Sequence, residues 1–504
     1  MLIYAVDLGS TNTKVVLYDD QLGTLAAAHA PMEYVRSGPR VEFDPEALFT
    51  SVVALMHECA GRAGIDGAGR HARIVVTGQA ESLVLVDADG AVVAPGMSWM
   101  DERSVDEARQ MAEHFDPATS FAITGEPEPV ATWPATKLRW LAMNRPDVLA
   151  AGHRALMIKD YILLRFTGLA VGEETTRGFT YLYDVREKEY WTEMVEYCGV
   201  RPDALPEIVP AGIDLGPALA RVAERLPRAA SYTVNTGALD HFCAMVGTDC
   251  YRAGSVSASA GTVLSVSMLT TDWQFDPAVK ASFHSGLRTG ETVLFTCADS
   301  GGVCLNWFRE NVATDLPYKI LDDRLTGRCH DDAPLFLPYL TGVNPPDFVD
   351  PARGAFLNLQ LRHDRFDLAF AVMEGVAHLL RRNLDYLAAH GHPAHGIVSA
   401  GGGAASGLWN QLKADVCGLE LRTPQEPEAS CRGAAALALV AAGAVDSLDE
   451  AAALHRPDEL TFRPHDGATR LARYRAFDGA LRHLYGTDPD PGPLLPAHGK
   501  ARQC

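Results

Sequence analysis

The first twenty residues carry two apolar runs around a small polar turn, a pattern that predicts a β-hairpin. Leu2 to Val6 are apolar and deliver Asp7 onto Gly9-Ser10-Thr11-Asn12-Thr13; Lys14 follows, and Val15 to Tyr18 form the returning run. Runs of this kind joined by Gly and polar residues are the hairpin signature. The segment GTLAAAHAPM supplies a third strand, and PEALFTSVVALMHECAG then places apolar residues at helical spacing behind Asp44-Pro45, a helix-start pair. RIVVTGQ is a short buried-strand pattern ending at Gly78-Gln79. ESLVLVDADGAVV predicts two strands about an Asp-Gly turn, and SVDEARQMAEHF, ATKLRWLAMNRP and KDYILLRFTG predict helices, the last closed by Gly168.

Strands alternate with helices over roughly the first 230 residues, which predicts an α/β domain. Between 201 and 236 the pattern loosens into Pro- and Gly-rich sequence, and the domain boundary is placed at 236/237. The second half, 237–487, opens as the first did. SVSASAGTVLSVSM is a β-branched run, a small-residue turn at Ser259-Ala260-Gly261-Thr262, and another β-branched run. FDLAFAVMEGVAHLLRRNLDYLAAHG predicts a long helix, GIVSAGGGAAS a strand entering a Gly-rich turn, and LWNQLKADVCG the helix it starts. LELRTP and ASCRGAAALALVAAG add a strand and a small-residue helix, and 488–504 reads as a frayed, Pro-rich tail.

Composition narrows the function classes. With 44 basic against 64 acidic residues in 504, the net charge of -20 argues against nucleic-acid or anionic-membrane partners. An anionic ligand would need local donors and a metal. Ten scattered cysteines with no C-x-x-C suggest neither a zinc ribbon nor a thioredoxin-type site, and read as reduced, buried small residues. No apolar stretch reaches the roughly 18–20 residues of a membrane span, and no signal-peptide pattern opens the chain. A cytoplasmic protein is expected, and a homodimer is compatible with the sequence.

The turn Gly9–Thr13 offers backbone N–H groups and hydroxyls to a phosphate, and Asp7 at its mouth suits a phosphate-bridging Mg²⁺. The alternative is an ordinary solvated tip. A second such tip near Gly261 in the other half suggests that the two clamp a polyphosphate across a cleft. A Gly-rich turn such as Gly401-Gly402-Gly403 could equally cap a helix, but it lacks the G-x-G-x-x-G dinucleotide spacing.

At this point the chain resembles the FGGY family of carbohydrate kinases, within the actin/Hsp70/hexokinase-type ATPase fold. DLGSTNTK, WMDERS, TKLRWL, KDYILLRFTG, TGALDHFCAMVG, SASAGT, GGGAASGLWNQLKADVCG and EASCRGAAALA resemble family segments, in family order, over nearly the whole length. The resemblance implies two ribonuclease H-like α/β domains and transfer of the γ-phosphate of ATP to a small sugar or polyol. It implies Asp240 as general base, although a helix-capping Asp is the structural alternative. Asp7 would hold Mg²⁺; Gly9, Ser10, Thr11, Asn12, Thr13, Lys14, Gly261 and Thr262 would hold phosphates; and Gly302, Gly401, Gly402 and Gly403 would lie beside the nucleotide. Lys14 could instead be merely solvated.

The sugar wall departs from its relatives. Where xylulokinases carry G-Q-M-H-G and glycerol kinases N-Q-R-E-T, this chain reads Gly78-Gln79-Ala80-Glu81-Ser82. Glu81 falls on the polyol-binding Glu of the glycerol enzymes, but their Arg is Ala80. His241 stands where the family has Asn or Gln. Gln79, Glu81, Asp240, His241, Trp99, Asp101 and Arg103 are the expected sugar contacts, with Trp133 either near them or in the core; Asp101 and Arg103 could equally form a structural ion pair. A ketopentose such as xylulose is the favoured substrate, with glycerol, erythritol or a pentitol as alternatives. A nucleotide-driven switch protein of the same fold is the reading from another class.

Overall fold

Strands Leu2–Leu8 and Asn12–Tyr18 form the expected antiparallel hairpin, with Asp7 opposite Lys14 and Leu8 opposite Thr13. Thr24–Pro31 adds the third strand. Helix Pro45–Ala63 then starts where the sequence says it must: the Asp44 carboxylate accepts the N–H groups of Glu46 and Ala47, Pro45 occupies the first turn, and left-handed Gly64 ends it. Its buried face, including Leu48, Phe49, Val52 and Met56, joins the core formed by the hairpin strands. The crossover returns the chain to Gly67–Gly78, parallel to Leu2–Leu8, and Ala229–Asn235 lies parallel on its far side. The sheet order is therefore Asp214–Pro217, Ala229–Asn235, Gly67–Gly78, Leu2–Leu8, Asn12–Tyr18, Thr24–Pro31.

This computed structural model describes residues 1–487 except Thr262, 272–274, 277–278, 280, 299, 341–345, 348–351 and 455–457. The expected tail 488–504 and the phosphate contact expected of Thr262 lie outside the described residues.

The second sheet repeats the plan. Ser255–Ala260 and Leu264–Thr270 form a hairpin; Gly396–Ala400 lies parallel to the first of these, and Leu421–Pro424 parallel to that. The order Ser282–Ser285, Thr292–Ala298, Leu264–Thr270, Ser255–Ala260, Gly396–Ala400, Leu421–Pro424, Glu459–Phe462 repeats the six-stranded order of the first sheet and adds Ser282–Ser285 at one edge. The long predicted helix is Arg365–Ala389, 25 residues, started by a reciprocal Asp364–Asp367 capping box. Of the two strands expected about the Asp-Gly turn, Leu83–Val86 forms, whereas the second is reduced to a single Val86–Val92 bridge.

The chain divides into two compact units, one taking residues 1–251, 283–292 and 426–456, the other 252–282, 293–425 and the remainder. The sequence division at 236 differs from this at helix Asp240–Gly247, which belongs with the first unit. Glycines explain why. A Cβ on Gly433 would sit 1.8 Å from the Cys243 carbonyl oxygen, and one on Gly247 2.0 Å from that of Ala429. Only glycines let helix Ala429–Ala441 lie that close. The loosened stretch before 236 also misleads, because Asp214–Pro217 and Ala229–Asn235 are sheet strands. Eight cysteines are free thiols, all but Cys297 buried. Among the described residues, no helix is long and apolar enough to cross a membrane.

Candidate active site

Three parallel strands of the first unit end together, and their carboxyl ends carry the candidate chemistry. Leu8 is in register with Gly78, the Gln79 N–H donates to the Leu8 carbonyl, and Gly78 bridges to Leu239. The edge thus gathers Asp7, the Gly9–Thr13 turn, Gln79 to Ser82, and Asp240 with His241. In open α/β sheets, ligands bind outside such carboxyl ends.

Asp7 is nearly buried, and its Oδ1 has no hydrogen-bond partner among the described residues. Burial, then repulsion from Asp240, pushes its carboxyl up to about 7. Lys14, across the hairpin, is tied to Glu428 at 2.8 Å, so it is neither free nor merely solvated. Burial opposes its charge, and the Glu428 carboxylate more than offsets that.

The turn and the sugar wall are one hydrogen-bonded system. The Trp99 indole N–H donates to Ser10 Oγ at 2.9 Å, and its backbone N–H to Ser82 Oγ at 2.9 Å. Ser82 Oγ donates to Gln79 Oε1 at 3.0 Å, while Gln79 Nε2 reaches the Gly9 carbonyl at 3.5 Å. Glu81, half-buried, adopts φ 69°, a rare conformation for a side-chain-bearing residue. Asp240 opens helix Asp240–Gly247, and its Oδ1 accepts the His241 N–H at 2.7 Å. Leu239, not Asp240, holds the N-cap position.

Asp101 and Arg103 fit the structural alternative. Asp101 is fully buried and takes both Nε and Nη2 of Arg103, at 2.8 and 2.7 Å, plus the Val41 N–H at 2.7 Å. Arg103 also reaches Glu42 at 2.6 Å. The pair is thereby held to the backbone of Val41 and to Glu42. Trp133 is close to buried, with its indole N–H on the Glu128 carbonyl at 3.1 Å.

Three charged or titratable residues escaped the sequence reading. Lys137 has no exposed surface; its ammonium donates to the Ser98 carbonyl at 2.8 Å and to that of Glu81 at 3.3 Å. Burial raises Glu81 and lowers Lys137, and each partly offsets the other's shift. Lys137 lies in TKLRWL, where an amphipathic pattern suggests a solvated lysine. Replacing it with Met should raise the acceptor KM about tenfold, a change of roughly 1.4 kcal/mol in binding, and leave the ATP KM within about twofold. Steady-state kinetics with each substrate varied checks this; an unchanged acceptor KM contradicts it. His284 and Glu126 are the other two. His284 is buried against Phe179 with ring centroids 4.0 Å apart, and its Nε2 lies 3.4 Å from Glu126 Oε1. Burial, then proximity to His241, lowers His284 to about 3, leaving it neutral. No periodic signal in the sequence marks either residue.

In the second unit, Gly261 tips the hairpin, and its carbonyl accepts the Gly302 N–H at 2.7 Å. Gly401, at φ 73°, leads into the one-turn segment Gly402–Ala405. A Cβ on Gly401 would lie 2.8 Å from Ser259 Oγ, and one on Gly403 2.9 Å from the Ala260 carbonyl oxygen. Gly261, Gly302 and Gly401 to Gly403 are therefore one cluster around the end of strand Ser255–Ala260.

Two sheets of one plan, each tipped by a small-residue turn, with carboxylates at the edge of the first, are the plan of the actin-type ATPase fold. Residues 2–247 match the model of the FGGY family of carbohydrate kinases, N-terminal domain, and residues 256–442 that of its C-terminal domain. The chain belongs to the FGGY family of carbohydrate kinases. It is 27% identical over 486 residues to the xylulose kinase of Escherichia coli K12, covering 95% of this chain and 98% of that one. It is 25% identical over 461 residues to a gluconokinase of Bacillus subtilis, covering 88% of each. The crystal structure of xylulose kinase from Rhodospirillum rubrum superposes with a TM-score of 0.85 at 26% identity, covering 96% of this chain and 99% of that one.

Proposed function

We propose that this kinase transfers the γ-phosphate of Mg-ATP to a hydroxyl of a small uncharged sugar, a ketopentose such as xylulose, with Asp240 as general base. The carrying observation is the charge at the sheet edge. Asp7, Glu81 and Asp240 are grouped there, whereas the neighbouring cations are committed: Lys14 to Glu428, Lys137 to backbone carbonyls, and Arg103 to Asp101 and Glu42. A sugar acid such as gluconate would bring its carboxylate toward this cluster without meeting a cation that is not already partnered. Repulsion from an ionised carboxylate at about 4 Å is worth ~1 kcal/mol in water and ~4 kcal/mol near a protein surface, and less at Asp7, which burial raises to about 7, and at Glu81, which burial also raises. Hydroxyl groups, by contrast, donate readily to Glu81 and Asp240.

Asp240 would accept the proton of the attacking hydroxyl as the bond to phosphorus forms. Trp99 offers an aromatic face to sugar C–H groups, and His241 can donate or accept at its ring nitrogens. Asp7 suits Mg²⁺: its Oδ1 is buried and unpartnered, and the nearby Asp240 carboxylate makes a cation welcome. Among the described residues, no group of three or more His, Cys, Asp or Glu is arranged as a metal site. Mg²⁺ keeps waters and phosphate oxygens as most of its ligands, so a single carboxylate such as Asp7 can serve it. When bound, the ion would neutralise charge on the phosphates. The small-residue turns at Gly9–Thr13 and Gly261, with the Gly302 and Gly401–Gly403 cluster, are assigned to the nucleotide. A polyol is the second reading, favoured by Glu81 at the polyol-binding position of the glycerol enzymes.

The test is coupled ADP release with Mg-ATP across ketopentoses, ketohexoses, pentitols, tetritols, glycerol and D-gluconate. One neutral acceptor should raise release well above background while gluconate stays at background. Gluconate as the best acceptor would overturn the neutral-substrate reading, and release independent of any acceptor would favour the switch protein.

A further inference from the structure

The loop that delivers Asp240 is held from below by a chain of groups, of which Lys159 opens the segment KDYILLRFTG. Lys159 and Glu173 form an ion pair at 2.8 Å with neither side chain exposed. Glu173 Oε2 accepts both the N–H and the hydroxyl of Thr175, each at 2.7 Å, and Oε1 accepts the Thr176 N–H at 3.2 Å. A hydroxyl has a single proton. With that proton given to Glu173, Thr175 Oγ1 presents only lone pairs, and it accepts the N–H of Leu239 at 2.9 Å. Leu239 is the residue before Asp240.

The preceding residue is fixed from the other side, where Thr77 Oγ1 donates to the Ala238 carbonyl at 2.8 Å. Thr77, Thr175, Lys159 and Glu173 are all fully buried. Two hydroxyls, one donating and one accepting, thus clamp the single peptide group between Ala238 and Leu239 at its carbonyl and its N–H, immediately before the helix that Asp240 opens. Glu173 is a fully satisfied buried carboxylate, lowered by Lys159 and by the Thr175 hydroxyl and N–H against the cost of its burial.

We propose that Thr175, oriented by the Lys159–Glu173 pair, is a positioning residue for the general base: it sets the backbone from which the Asp240 carboxylate reaches the attacking hydroxyl. The inference rests on Asp240 being that base. General-base catalysis requires placement within hydrogen-bond reach, so a displacement of the loop acts on turnover rather than on ligand affinity.

Thr175→Val keeps the shape and deletes the hydroxyl, and Thr175→Ser restores it. In wild-type background, Thr175→Val should lower kcat by about tenfold or more with both KM values within about twofold, and Thr175→Ser should recover to within about threefold of wild type. In the Asp240→Asn background the same change should cost no further turnover, because groups acting as a unit are not additive. Hydrogen exchange on the free enzyme gives a readout that needs no acceptor. The segment 236–242 should exchange faster in Thr175→Val than in Thr175→Ser, while 2–8 is unchanged.

Equal losses of kcat in both backgrounds, or a rise in KM without loss of kcat, would overturn the proposal. So would exchange in 236–242 that is the same in the Val and Ser variants. A fully active Asp240→Asn enzyme would instead remove the base assignment, with the exchange result still reporting whether Thr175 holds the loop. If Thr175→Val did not fold, Thr175→Ala would carry the same comparison against Ser.

Discussion

Replacing Asp240 with Asn should lower kcat by about 10²–10⁴, the range a positioned general base supplies. The fold should not change. Asp240 is only partly buried, and among the described residues its side chain's one hydrogen bond is from the His241 N–H, which the amide oxygen of Asn can accept equally well. Calorimetric ATP affinity should accordingly stay within about twofold of wild type, a shift below ~0.5 kcal/mol. Turnover near the wild-type value would move the proton-accepting role elsewhere on the sheet edge. Asp7 would then be the next carboxylate to test.

The second large effect lies in the other unit. A Cβ on Gly302 would stand 2.3 Å from the Gly261 carbonyl oxygen, the same atom that accepts the Gly302 N–H at 2.7 Å. Neither backbone segment can yield without moving the tip of the hairpin. Gly302→Ala should therefore cost about 1–3 kcal/mol of stability, as overpacking does. It should also raise the ATP KM by about tenfold, equivalent to ~1.4 kcal/mol, with the acceptor KM little changed. Gly479 makes the control, because a Cβ there meets nothing within 4 Å and it lies in helix Gly467–Tyr485, outside the nucleotide cluster. Denaturant unfolding and ATP-varied kinetics on both variants check the pair. Indistinguishable Gly302→Ala and Gly479→Ala enzymes would separate Gly302 from the nucleotide.

Much of this was legible in the sequence because it is local. Hairpins with small-residue tips and the Asp44-Pro45 helix start are written within a few residues, and each forms where the pattern puts it. Asp7 was marked by its place at the mouth of the small-residue turn and Asp240 by resemblance, and strand register explains how residues 233 apart in sequence share an edge: Leu8 meets Gly78, and Gly78 meets Leu239. What the sequence hid is non-local. The end of the first unit was misplaced because Pro and Gly suggested a linker before Ala229–Asn235, whereas Gly247 and Gly433 hold the next helix in place through contacts almost two hundred residues apart. Lys137, Lys159 and Thr175 look like ordinary helix-surface and turn residues until the fold buries them. A buried lysine is explicable only by its partners, and these come from other elements: the Ser98 and Glu81 carbonyls for Lys137, and Glu173 for Lys159.

Product analysis by ³¹P NMR is the most direct test of a kinase for an uncharged sugar with Asp240 as its base. Wild-type enzyme with Mg-ATP and the best neutral acceptor should yield ADP and a sugar phosphomonoester in equal amounts. Asp240→Asn should yield almost none in the same time, and gluconate should yield none with either enzyme. Phosphogluconate as the main product, or equal phosphomonoester from the two enzymes with the neutral sugar, would contradict the account.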